Sequence, residues 1–458
     1  MNISKRFIKV FILCLVAGYA LSIGAGSVTM PKVRTITLPN DLKVFYVHDE
    51  LPLVTIALSV GFGSLYEDQN NAGIASILQR SLTLGGSKKY PGQKLHNTIE
   101  QIGGKFSISS SWEQTVISVT VLKKYKQLAF DIVSDIAKNP LFTDKAVNHA
   151  KMLAIEGIKR RNDSPNRMAI QKVRNLIFNG KGYGATETFK TVKAVTPAVL
   201  KKLWKTYVVS KNIMVGVSSS LNFREVKSLV KPLATIKAGT SKSYDPVSKI
   251  DYEKLNELNN TIYLIPKKLP QSTVVCGTIA PVIKSRDVYA LTLMNRILGG
   301  GSFSSRLMRE IRVQRGLAYV VQSVIRSRSN TGVFLAFSQT KNASVKEVVS
   351  IMKRNFKDIS QKNVSTREIQ WAKRAINNSY IFNFETPLDL LGTFFFVHYN
   401  KMPKNYHETY LSKIKAVSKK DIKSTAKDLF SKGMVYVVVG PESLKTSLGS
   451  LGKVVVVK

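Results

Sequence analysis

Five histidines and two cysteines are all that this sequence offers a transition metal besides its carboxylates. His48, His96, His149, His398 and His407 contain no pair three or four residues apart, so no helical turn brings two imidazoles to one face. His407-Glu408 is followed by nothing that completes a His-Glu-x-x-His motif. The histidines therefore read as solvated or structural. The run Gly299-Gly300-Gly301 invites a phosphate-cradle reading, but no Lys-Ser/Thr follows it. Without that partner, a simple helix-terminating turn after Leu298 is one reading of the glycines.

The elements that must position any site come from an ordinary globular chain. It has 458 residues, 44% apolar and 21% charged, which excludes disordered, collagen-like and disulfide-scaffold classes. At about 150 residues per domain this is enough for roughly three units. The charge is less ordinary: 69 Lys plus Arg against 29 Asp plus Glu leaves +40. Such an excess suits nucleic acid, an anionic membrane surface or acidic partners, or is background in a chain rich in Lys, Ile and Asn. Lys5, Arg6 and Lys9 precede an apolar run from Val10 to Ala20 and a small-residue zone to Ser27. This is the pattern of an export signal over residues 1–26, with an uncleaved anchor as the alternative. The run is shorter than the ~20 apolar residues of a membrane span. Cys14 lies inside it, so removal leaves Cys276 alone and no intrachain disulfide. A bacterial periplasm is the expected compartment, which weakens the nucleic-acid reading.

Along the mature chain, β-branched runs alternate with helical stretches, and the order repeats. Lys193-Ala194-Val195-Thr196 matches Lys415-Ala416-Val417-Ser418, Ala150-Lys151 matches Ala372-Lys373, and Pro165 matches Pro387, all at an offset of 222. Leu51-Pro52 and Leu269-Pro270 stand before comparable β-rich runs at an offset of 218. These offsets mark two homologous halves of about 220 residues. The halves are 27–230 and 261–458, joined by a polar linker over 231–260. The expected class is α+β: each half an antiparallel sheet with helices packed on it. Phe394-Phe395-Phe396 falls in a helical stretch and reads as core.

Two strings go beyond architecture. One runs Ile297-Leu298-Gly299-Gly300-Gly301-Ser302-Phe303-Ser304-Ser305-Arg306-Leu307 and on to Arg315-Gly316-Leu317-Ala318-Tyr319. The other is Gly73-Ile74-Ala75-Ser76-Ile77-Leu78-Gln79-Arg80, shortly after Gly63-Ser64 and Glu67. With the duplication and the Asn162-Asp163-Ser164-Pro165 helix end, they resemble the insulinase/pitrilysin peptidase family over about residues 33–440. The likeness is greatest to the shorter members that work as two chains, closing like a clamshell on peptides.

The resemblance implies an inverted zinc motif, His-x-x-Glu-His, on the helix after Gly73, yet its positions hold Ser76, Gln79 and Arg80. Serine is a poor zinc ligand, glutamine takes no proton from water, and arginine is a permanent cation without a lone pair. The third-ligand position is kept as Glu156, which is expected to pair with Arg80 in place of the metal bridge. The resemblance also implies that Arg312 and Tyr319, seven residues apart, bind the substrate backbone near the scissile carbonyl, where their N–H and O–H groups meet developing negative charge. Gly299, Gly300 and Gly301 would form a flexible loop facing the peptide chamber. Arg315 reads as a surface or structural residue. The expected function is a non-catalytic, zinc-free subunit of an exported heteromeric metallopeptidase. Its partner would be a zinc-bearing relative, its substrate unfolded peptide, with anionic membrane as a further surface and no nucleic acid. The alternatives are a peptide-binding scaffold without a catalytic partner and a residual metallopeptidase.

Overall fold

The computed structural model describes residues 30–241 and 252–457, together with a two-residue ladder of Ile23–Gly24 against Ser27–Val28. The expected export segment thus lies almost wholly outside the described residues. The first half contributes β1 (Val33–Thr37), β2 (Lys43–His48), β3 (Leu53–Val60), β4 (Lys105–Ser110), β5 (Thr115–Leu122) and β6 (Ile213–Ser219). They lie in the order β1-β2-β6-β3-β5-β4. The second half contributes β7 (Ile262–Pro266), β8 (Gln271–Ala280), β9 (Ala318–Ser327), β10 (Gly332–Lys341), β11 (Val435–Gly440) and β12 (Val454–Val456), ordered β9-β10-β8-β11-β7-β12. The second order is the first reversed, with one exchange: the outer strand beside β7 comes from the end of the chain, not the start. The two-half α+β architecture matches expectation, but the sheets are mixed. β6 runs parallel to β2 and antiparallel to β3, and β7 is parallel to both β11 and β12. The reason is the long helical excursion before β6 and before β11, which brings the chain back from the opposite end and permits parallel pairing.

The duplication extends to side-chain chemistry. Lys151 Nζ donates to the carbonyls of Lys193 (2.8 Å) and Val195 (3.0 Å), and Lys373 Nζ donates to Lys415 (2.6 Å) and Val417 (2.7 Å). Donor and acceptors are all displaced by 222 positions. The helix after each clamp is capped alike, by Thr196 on the Val199 N–H and by Ser418 on the Asp421 N–H.

Four helices build the cleft and the junction between the halves, α1 (Ile74–Gly85), α2 (Asp144–Asn162), α3 (Pro165–Ile177) and α5 (Pro387–Tyr399), while α4 (Val288–Asn295) lies in the second half's core. Two of these helices, α3 and α5, are exchanged between the halves. Ala169, Val173 and Ile177 of α3 pack with Val275, Ile279, Val437 and Val439 of the second sheet. Leu391 and Phe395 of α5 lie against the first sheet, where a Cβ added to Gly216 would sit 2.8 Å from Leu391 Cδ2. Gly277 makes the same room for Val173, at 2.9 Å. Both sheets are therefore covered on both faces, and β8 is buried along almost its whole length. A polar hub completes the junction: buried Glu113 accepts the Tyr183 hydroxyl (2.6 Å) and the Ser329 N–H (2.9 Å). The middle residue of the Phe394–Phe396 run is the buried one. The linker is also shorter than expected. Leu233 and Ile236 are buried in the first core and their carbonyls accept from Asn40, whereas Leu255 is buried in the second half's side of the junction. The central part of the linker, 242–251, lies outside the described residues. Among the described residues no helix is long and apolar enough to cross a membrane.

Candidate functional site

α1 begins at Gly73, whose left-handed backbone (φ 94°) turns the chain into the helix. The buried Glu67 carboxylate accepts the N–H groups of Gly73 (3.0 Å) and Ala75 (2.9 Å), filling the helix N-terminus. Burial, opposed by these two N–H groups, pushes the Glu67 carboxyl up to about 7. One turn on, Ser76 and Gln79 face a cleft of about 620 Å³ that reaches the second half at Arg328. Gln79 is committed to the fold: its amide donates to the Ile108 carbonyl on β4 at 2.6 Å and to Thr83 Oγ1 at 3.3 Å.

The expected Glu156–Arg80 pair is not formed. Glu156 is exposed on α2 and bonds Lys159 one turn away at 3.0 Å, the cheaper arrangement on a solvated helix face. Arg80 is half-buried and has no carboxylate partner among the described residues. These residues do not fit a zinc ion: a hydroxyl, a spent amide, a cation and a carboxylate held elsewhere leave no set of neutral or anionic donors. Among the described residues no group of three His, Cys, Asp or Glu side chains comes together.

The second motif is built differently. The stretch Met308–Gln314 is π-helical and carries Arg312. Gly316, left-handed at φ 61°, returns its N–H to the Arg312 carbonyl (3.1 Å) and reverses the chain into β9. There the register slips between Ala318 and Val320, so Tyr319 is the extra residue of a bulge and turns outward. It is 77% exposed. The Arg312 guanidinium lies 4.5 Å from the Tyr319 ring centre and 4.8 Å from that of Phe303, itself 57% exposed. Phe303 escaped sequence reasoning; its place in the same string, before Arg306, was the available signal. Arg306 has a structural duty instead, a two-pronged ion pair with Glu368 (2.7 and 3.0 Å). Arg315 bonds Glu347 at 2.8 Å, as its surface reading requires.

Gly299 and Gly300 lie in a π-helical turn that extends α4, and all three glycines are tightly packed. A Cβ at Gly299 would meet Ser323 Oγ at 2.6 Å, and one at Gly301 would run into the Trp371 ring. In place of the expected flexible loop stands a packed helical turn, with Gly299 set against Ser323 of β9 where only glycine fits. β9 links the second motif to the cleft: Tyr319 lies at its start and Arg328 follows its end. Nine residues at ~3.3 Å each place them about 30 Å apart.

Burial alone would raise the Glu368 carboxyl, but Arg306 and the Ser365 N–H hold it down at about 2. Because this lies below the usual 4.5, the pair adds stability above that pH and loses it as pH falls from 4.5 through 2. Urea midpoints measured across that window should fall, and Glu368→Gln should remove this part of the decline. An unchanged pH profile in the variant would refute the assignment.

Two family models match the chain in tandem: Insulinase (Peptidase family M16) over residues 43–188 and Peptidase M16 inactive domain over residues 194–376. A Rickettsia bellii protein named as an uncharacterized zinc protease is 24% identical over 403 residues, 85% of this chain and 93% of its own. A Helicobacter pylori protein named non-peptidase homolog YmxG is 26% identical over 425 residues, 90% of this chain and 94% of its own. Among solved structures, a peptidase M16 inactive domain from Pseudomonas fluorescens superposes with a TM-score of 0.80 at 21% identity, covering 90% of this chain and 98% of that one. A protease from Helicobacter pylori superposes at 0.79 with 19% identity, over 90% and 100% of the two chains.

Proposed function

The chain belongs to the insulinase (M16) peptidase family as a non-catalytic member, and from that premise we propose that it is the zinc-free subunit of an exported, two-chain metallopeptidase. A zinc-bearing relative supplies the metal and the general base. This chain supplies Arg312 and Tyr319 to that relative's centre, where they hold the backbone of an unfolded peptide and donate to the carbonyl oxygen as it gains charge. One observation carries the reading: Tyr319 is exposed with the half-buried Arg312 stacked on its ring, Arg312 has no carboxylate partner among the described residues, and Tyr319 stands about 30 Å along β9 from Arg328 at the chain's own cleft. The stacking of Arg312 on Tyr319 and Phe303 holds the guanidinium at the surface before a partner arrives, which lowers the ordering cost of assembly.

The test is reconstitution. The purified chain should neither retain zinc nor cleave a fluorogenic peptide, and mixing it with a zinc-bearing relative from the same cell should yield activity that neither chain has alone. Chelator-sensitive cleavage by the lone chain would overturn the proposal.

A further inference from the structure

The cleft beside α1 is lined by four arginines: Arg161, Arg167, Arg174 and Arg328. Two are already matched within its wall. Arg161 bonds Glu187 at 3.2 Å. Arg174 faces the buried Glu67, donates through Nε to the Tyr183 carbonyl at 2.7 Å, and lies 4.5 Å from the Trp112 ring centre. The other two are not matched. Arg167 is exposed on α3, and Arg328 enters from the second half on the turn after β9. Neither has a carboxylate partner among the described residues. The Arg328 Nε is buried without any hydrogen-bond partner, while its guanidinium lies over the same Trp112 ring at 5.4 Å.

Two guanidiniums on one indole repel each other, and a buried N–H without an acceptor carries an unreturned desolvation cost. An oxyanion in the cleft beside Arg328 offsets that repulsion, and the planar fork of arginine suits a carboxylate. We infer that this cleft, at the place where the family's zinc motif has been lost, binds the acidic side chain of a peptide through Arg328 and Arg167. The choice of a peptide as the carrier rests on the function proposed above; the preference for an anion rests on the cleft alone. Glu187 pairs with Arg161 and Glu67 is the one other carboxylate in the lining, so the four arginines leave at least two positive charges for the ligand.

The experiment uses the full chain by itself and two capped, fluorescently labelled peptides of equal length, one with three consecutive Glu and one with Gln in their place, at low salt. Fluorescence anisotropy should show the Glu peptide binding at least tenfold tighter. The Arg167→Gln/Arg328→Gln variant should abolish that difference, and the exposed pair Lys404→Gln/Lys420→Gln, which removes equal charge elsewhere, should preserve it. Unlabelled Glu peptide should change the emission of Trp112, a change missing in Trp112→Phe. Arg167→Gln alone, on an exposed position, serves if the double variant does not fold. Equal binding of the two peptides, or an acidic preference that survives in the arginine variants, overturns the inference. Binding of inorganic pyrophosphate with the same arginine dependence but no binding of the Glu peptide overturns the peptide assignment. None of these readouts requires a zinc-bearing relative: failure of reconstitution leaves the cleft standing, and failure here leaves Arg312 and Tyr319 untouched.

Discussion

Arg312→Ala in the reconstituted peptidase is expected to lower kcat/KM by about 10²-fold or more, the scale seen when one donor to a developing oxyanion is removed. Geometry gives the direction. The guanidinium is held between the rings of Tyr319 and Phe303 at 4.5 and 4.8 Å, so its N–H groups are presented without a competing carboxylate. Alanine removes the donors and the cation together. Tyr319→Phe keeps the ring on which Arg312 rests and removes only the hydroxyl, so its effect should be smaller, on the order of tenfold for one lost hydrogen bond to a charged group. Co-purification of the two chains separates chemistry from assembly. A full rate in the Arg312→Ala complex, with assembly intact, would sink the assignment of this pair to the partner's centre.

The largest effect on stability is expected at the exchanged helices. Phe395 is buried and fills the space above Gly216 in the other half's sheet. Truncation to alanine removes the ring's transfer energy and leaves a cavity that a sheet on one side cannot collapse into, a loss of about 3–5 kcal/mol. Leu391→Ala should cost about 2–5 kcal/mol for the same reason. Because α5 belongs to the second half and Gly216 to the first, the loss should appear in one shared unfolding transition. Calorimetry decides: a Phe395→Ala protein in which one half melts early while the other keeps its original midpoint would show that the halves are not thermodynamically joined.

Much of this organisation was legible in the sequence because it depends on local rules. The 222-residue offset appeared in Lys151/Lys373 and Pro165/Pro387, and the structure gives it a mechanism in two identical lysine clamps and two proline-led helices. The destinations of those helices were not legible. α3 and α5 are amphipathic enough to cover a sheet, but nothing in their pattern says which one. That choice rests on Gly216 and Gly277, more than 100 residues away in sequence from the side chains they admit. The glycines 299–301 failed for a related reason: a turn and a close contact call for the same residue, and only the position of Ser323 tells them apart. The Arg174 and Arg328 pair shows the limit most plainly. Neither belongs to a motif, and they meet only because a helix of one half and a hairpin of the other share Trp112.

The identities of Ser76, Gln79 and Arg80 determine by themselves that the inverted motif has lost its two imidazoles and its general base, since donor chemistry is a property of the residue and survives any fold. The sequence likewise determines the duplication and most of its elements, because helical and strand periods are written within a few turns of chain. Tertiary structure alone decides that Glu156 turns to Lys159, that Tyr319 and Arg328 stand at opposite ends of one strand, and that four arginines gather where the metal motif has been lost. Those are contacts between segments far apart in sequence, and their energies depend on which surfaces the packed halves bring together.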